Sequence, residues 1–138
     1  MSDVGPWSYE VELAAELNSA SIARQFVGRH LGAHDLSYLV DDVRLVVSEL
    51  AGNVLLHART PFVVSLVGDA VAVLLTVRDG SPAFPVRATA DHLATSGRGL
   101  VILDEFSHDW GVARGPGHEK AVWASFVTRR GLDEQPSA

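Results

Sequence analysis

The chain has 138 residues, which suits one domain and excludes a second large one, because a single core typically organises about 100–200 residues. Hydrophobic residues make up 47% and charged residues 20%, the usual globular mixture, and with no cysteine the chain excludes disulfides, thiolate nucleophiles and cysteine-based metal centres. Lys and Arg total 11 against 17 Asp and Glu, and the formal charge of -6 argues against a surface built to neutralise nucleic-acid phosphates. Met1 to Trp7 lacks the basic and apolar regions of a signal peptide, and no apolar run approaches the ~18 residues of a membrane helix. A soluble protein of a reducing cytoplasm is expected.

Trp7, Tyr9, Val11 and Leu13 alternate with Ser8, Glu10 and Glu12, the period of a half-buried first strand. Asn18 and Ser19 are helix-cap residue types, and Ile22, Phe26, Val27 and Leu31 then recur at helical spacing up to Gly32. Asp41 and Asp42 suit the positive end of a second helix, whose pattern runs through Val43, Val46, Leu50 and Val54 to Ala58 before Pro61 ends it. Two Val-rich runs, Phe62 to Val67 and Val71 to Val77, flank Gly68-Asp69-Ala70 and predict a hairpin of buried strands.

Asp79-Gly80-Ser81-Pro82 closes that hairpin. Ala83 to Ser96 has two prolines and no strong period, which reads as a loop over a site. Gly97-Arg98-Gly99 opens a short helix through Leu100, Leu103 and Phe106, and Trp110 to Ala113 with Ala121 to Val127 form a last strand pair joined at Gly115-Pro116-Gly117. Residues 1–130 form the domain, and the polar stretch from Gly131 to Ala138 reads as a flexible tail. The order predicts an α/β fold with helices on one face of a mixed, mainly antiparallel sheet.

Glu49 and Asn53 lie four apart on the second helix, roughly 6 Å along its axis, at the edge of the buried face, with Leu45 and Leu56 beyond them. They can serve one ligand. His57 continues the row as a packing or capping residue. Asp79 stands where a buried strand leaves the core, and a carboxylate there can accept a hydrogen bond from an exocyclic amino group. Gly97-Arg98-Gly99 before an apolar helix offers backbone N–H groups, a positive helix end and a guanidinium, which suit a phosphate. Neither the Rossmann fingerprint nor a P-loop occurs. Ser107-His108-Asp109 has triad residue types, but adjacent side chains do not converge in triad geometry, and His30 with His34 lacks a third metal ligand.

Taken together, Glu49-Leu50-Ala51-Gly52-Asn53 through Ala58, Val77-Arg78-Asp79-Gly80, Gly97-Arg98-Gly99-Leu100 and Lys120-Ala121-Val122-Trp123 resemble one family. It is that of the anti-sigma-factor serine/threonine kinases, of the short single-domain form common among actinobacterial members. Their ATP-binding fold, the Bergerat fold, is a two-layer α/β sandwich shared with gyrase and histidine kinases. Arg24 and Phe26 match the family's first helix.

The resemblance implies that Asn53 coordinates the magnesium ion on the ATP phosphates and that Glu49 acts as base toward the acceptor hydroxyl. It further implies that Asp79 reads the adenine amino group and that Gly97, Arg98, Gly99 and Leu100 form the hinge of the ATP lid. The implied partners are an anti-sigma-factor antagonist with a STAS domain, a sigma factor to sequester, and a second copy of the chain in a homodimer; neither DNA nor membrane contact is expected. Two positions depart from the pattern. Ser81-Pro82 replaces a glycine of the wider superfamily, and Ala121 replaces a hydroxyl residue, implying one nucleotide contact fewer. The alternative is a degenerate nucleotide- or protein-binding module that regulates a partner without phosphoryl transfer.

Overall fold

The structure, a computed structural model, describes residues 5–80, 98–115 and 119–134. Five strands form one sheet: β1 (Trp7–Leu13), β2 (Phe62–Gly68), β3 (Ala72–Asp79), β4 (Asp109–Arg114) and β5 (Lys120–Val127). The order across the sheet is β1-β2-β3-β5-β4, and every pairing is antiparallel. The helices are α1 (Ser19–Ala33), α2 (Val40–Asn53), α3 (Arg98–Phe106) and α4 (Arg129–Glu134).

Period-two alternation in the strands decides the layers. Phe62, Val64, Leu66, Val73, Leu75 and Val77 are buried on one face, while Val63, Ser65, Val67, Leu74 and Arg78 fall on the other. The buried face receives the stripe of α1 (Ala23, Phe26, Val27, Leu31) and of α2 (Val43, Val46, Val47, Leu50). Each buried Val, Leu or Phe among them contributes about 1.5–3 kcal/mol. The result is the expected sandwich of helices on one sheet face.

Local details depart from the sequence reading. Asn18 occupies the N-cap of α1 without a side-chain cap bond, and the Ser19 hydroxyl instead donates to the Ala14 carbonyl at 2.7 Å. The second helix does not run evenly to Ala58: after Asn53 it widens into a turn over Val54–Ala58, where Arg59 N–H donates to the Val54 carbonyl five residues back at 2.8 Å. Arg59 then takes a left-handed conformation, φ 55°, and ends the helix.

α4 spans Arg129–Glu134 and so takes in the first described residues of the stretch from Gly131, whose remainder lies outside the described residues. The buried Thr128 hydroxyl donates to the Ala70 carbonyl at 2.6 Å and accepts from Gly131 N–H at 2.9 Å, fastening the start of α4 to the β2–β3 turn. Arg129 N–H donates to the Tyr38 hydroxyl, and its guanidinium lies 4.0 Å from that ring's centre. Sequence polarity concealed these hydrogen bonds because each is made by backbone or by a single hydroxyl.

On β1, Trp7 is cross-strand from Gly68, where a Cβ would run into the indole ring. That close approach lets Trp7 stack on His34, with ring centres 4.3 Å apart.

Candidate active site

The end of α2 and the end of β3 meet through chain connectivity. Asn53 closes α2, and the short passage through Thr60 and Pro61 delivers Phe62, the first residue of β2, opposite Asp79, the last of β3. Lys120, the first residue of β5, is the register partner of Asp79 on its other side. One end of the sheet therefore gathers Asp79, Lys120 and the start of β2, which the connection from α2 delivers.

Asp79 and Lys120 both point inward and are buried, with Lys120 Nζ 3.8 Å from Asp79 Oδ2. Burial lowers the Lys120 pKa from its usual value; the facing Asp79 carboxylate opposes that shift and Arg114, its partner on β4, adds to it. Sequence reading placed Lys120 in a segment of the family resemblance but gave it no role. Its signal was a lysine beginning an apolar strand, but the partner depends on β5 lying next to β3, which sequence order hides.

Asn53 is half-buried, and its side-chain Nδ2 is buried without a hydrogen-bond partner. So is the Thr60 hydroxyl on the following connection. Native interiors leave few such atoms, and those that occur mark a position for a ligand, water or ion. The Asn53 amide nitrogen is a donor without an acceptor, and the Thr60 hydroxyl lies in the connection that leads to β2.

Glu49, one turn before Asn53, is half-buried and lines a cavity of about 240 Å3 with Leu45, Ser48 and Ile102. Arg24 on α1 donates to the Ser48 hydroxyl at 3.2 Å beside it. Leu45 and Leu56 are exposed on the far side of the row. The His57 side chain is half-buried in the widened turn.

α3 packs on α2 with Leu103 fully buried. His108, just past α3, donates its N–H to the Ser125 carbonyl, well along β5 from Lys120. Of the expected lid hinge, Arg98, Gly99 and Leu100 form the first turn of α3, whereas Gly97 and the loop from Ala83 to Ser96 lie outside the described residues, as does Ser81-Pro82.

Ala121 sits opposite Arg78 and Ala113, on the strand position whose side chain faces away from Asp79. The residue of that segment turned toward Asp79 is Lys120. A second cavity, about 540 Å3, opens beside Asp79 and Gly80, but Glu12, Val63 and Arg78 wall it, and these lie on the sheet face opposite the helices. It is not a space that Glu49 or Asn53 shares.

A family model for the histidine kinase-like ATPase domain matches residues 13–126, from the end of β1 almost to the end of β5. The chain belongs to that family. No curated protein matches it. As a histidine kinase-like ATPase domain the chain is an ATP-binding unit, and the match spans Glu49, Asn53, Asp79, the first turn of α3 and Lys120. Among the described residues, no helix of this domain is long and apolar enough to cross a membrane. No group of three or more His, Cys, Asp or Glu side chains among them could hold a metal ion by itself.

Proposed function

We propose that the protein is an ATP-dependent serine/threonine kinase of the anti-sigma-factor type, acting on an anti-sigma-factor antagonist and sequestering a sigma factor. The observation that carries this reading is the half-buried Glu49-Asn53 pair at the C-terminal end of α2, with an unpartnered amide nitrogen on Asn53.

The donor set fits magnesium. Such an ion takes oxygen ligands, keeps several waters, and is ordinarily held by one or two side chains together with substrate phosphates, so no all-protein cage is needed. Asn53 Oδ1 is the side-chain oxygen this chain would offer. A bound magnesium ion supplies charge neutralisation at the phosphates.

The chain's own groups divide the remaining work. Asp79 accepts a hydrogen bond from the adenine amino group and fixes the base. Backbone N–H groups in the first turn of α3 face phosphate oxygens at the positive helix end. Glu49 orients the acceptor hydroxyl and takes its proton as the new O–P bond forms and the bond from the γ-phosphorus to ADP breaks. A phosphorylated acceptor carries an added charge of about -1.5 to -2, which a protein of net charge -6 repels at a packed interface. Release of the antagonist then frees the kinase for the sigma factor.

The test is calorimetric titration with ATP, with and without Mg2+, of the natural protein and of Asn53→Ala. Magnesium-dependent binding that is lost in the variant supports the reading. No binding at millimolar ATP, or equal affinity in the variant, overturns it.

A further inference from the structure

The sheet face turned away from the helices carries one row that crosses four strands. Glu12 on β1, Val63 on β2, Arg78 on β3 and Ala121 on β5 are successive cross-strand partners, so their side chains share that face. Long charged side chains alternate in the row with short apolar ones. Neighbouring strands lie about 4.8 Å apart, so Glu12 and Arg78 rise about 10 Å from each other with only Val63 between them. This gap opens into the cavity of about 540 Å3, which Thr60, Gly80 and Glu119 also line. Its size is that of a small-molecule site.

Among the described residues, no ion pair or hydrogen bond joins the side chain of Glu12, Arg78 or Glu119 to a neighbour. Arg78 is half-buried, and a guanidinium drawn out of water is costly until it meets an anion. The hydroxyl of Thr60 has no partner either. Asp79 stays out of this charge balance, because its carboxylate points to the opposite face and lies 3.8 Å from Lys120. Two carboxylates and one guanidinium remain to be matched.

We propose that this trough binds a free basic amino acid, arginine or lysine. Its α-carboxylate pairs with Arg78, and its α-ammonium and side-chain cation take Glu12 and Glu119. Such a ligand presents one anion and two cations, the inverse of the wall, and its methylene chain suits the apolar floor at Val63. The planar guanidinium of Arg78 can hold a carboxylate by two parallel hydrogen bonds, which fixes the ligand's orientation. The site lies outside the nucleotide-binding reading and does not depend on it.

The experiment titrates L-arginine and L-lysine into the full chain without nucleotide and follows amide chemical shifts by NMR, which locates the ligand as well as measuring its affinity. Three analogues of arginine each lack one charge: L-citrulline has a neutral side chain, agmatine has no carboxylate, and N-acetyl-L-arginine has no α-ammonium. Each omission should weaken binding about 10- to 100-fold, the scale of one hydrogen-bonded charge. Arg78→Gln and Glu12→Gln, checked for folding by circular dichroism, should each weaken arginine by that factor, and Arg78→Gln should bind agmatine no worse than the natural protein does.

Absence of shifts at Val63, Arg78 and Ala121 with millimolar arginine and lysine overturns the site. Equal binding of agmatine and arginine overturns the role of Arg78, and equal binding of citrulline overturns the pairing of both carboxylates with one ligand. N-acetyl-L-arginine has the charges of a C-terminal residue in a polypeptide, so its equal binding overturns the free amino acid in favour of the end of a partner chain. Unchanged arginine affinity in both variants overturns the assignment of the trough.

Discussion

Asp79 and Lys120 face each other across β3 and β5, an acid and a base 3.8 Å apart and buried at the end of the sheet. Changing either alone removes a buried opposite charge from beside the other. Breaking a buried pair costs about 3–5 kcal/mol, whereas replacing both partners with neutral groups is often close to neutral. Asp79→Asn and Lys120→Met should each lower urea-unfolding stability by that order, and the double variant should recover most of the loss while still failing to bind ATP. Additive losses in the double variant would show that the two side chains are not energetically coupled.

Gly131 tests the fastening of α4. A Cβ at this position would collide with the Val71 carbonyl oxygen, a backbone atom that cannot swing aside. Gly131→Ala should therefore cost roughly 1–3 kcal/mol, the usual scale of overpacking. It should also speed amide exchange at Thr128 and Gly131, whose contacts join α4 to the β2–β3 turn. Unchanged stability and protection would mean that α4 is not held there.

The sheet, both long helices and the positions of Glu49, Asn53 and Asp79 were legible because each rests on local periodicity or on spacing within one element. The pairing of Lys120 with Asp79 was not legible. Its meaning depends on β5 inserting between β3 and β4, a non-local pairing that no window of sequence contains. The widened turn at Val54–Ala58 escaped for a different reason. Its residues continue an apolar helical pattern, and backbone hydrogen bonding such as that from Arg59 to Val54 distinguishes it from a regular helix. The side to which Ala121 points, away from Asp79, was likewise hidden, because that parity is set by where β5 begins.

Acid should weaken the protein at the seam between β1 and α1. His30 is stacked on Tyr9, with ring centres 3.8 Å apart, and set edge-on to Phe26 at 4.8 Å. Burial, then the neighbouring Arg29 and His34, hold its pKa below the usual 6.5. The folded state thus binds this proton less readily than the unfolded chain. The stabilising contribution is complete above pH 6.5 and is lost as pH falls through the depressed folded value. The Tm should drop between pH 7.5 and 5, and His30→Phe, which keeps a ring in place, should reduce that drop. An identical pH profile in the variant would remove His30 from the acid response.

Glu49 separates a transferring kinase from a module that only binds nucleotide. The side chain lines the cavity with Leu45, Ser48 and Ile102, one turn from Asn53 and outside the Asp79-Lys120 pair. Replacing its carboxylate with an amide keeps the shape and removes the proton acceptor. Glu49→Gln should bind ATP within a few-fold of the natural protein, and transfer to the acceptor should fall about 10²–10⁴-fold, the contribution of a positioned general base. A calorimetric titration and a labelled-phosphate transfer assay on the same preparations give both numbers. If transfer persists at the natural rate in Glu49→Gln, the base lies elsewhere; if the natural protein binds ATP and transfers nothing to a cognate antagonist, regulation proceeds through binding alone.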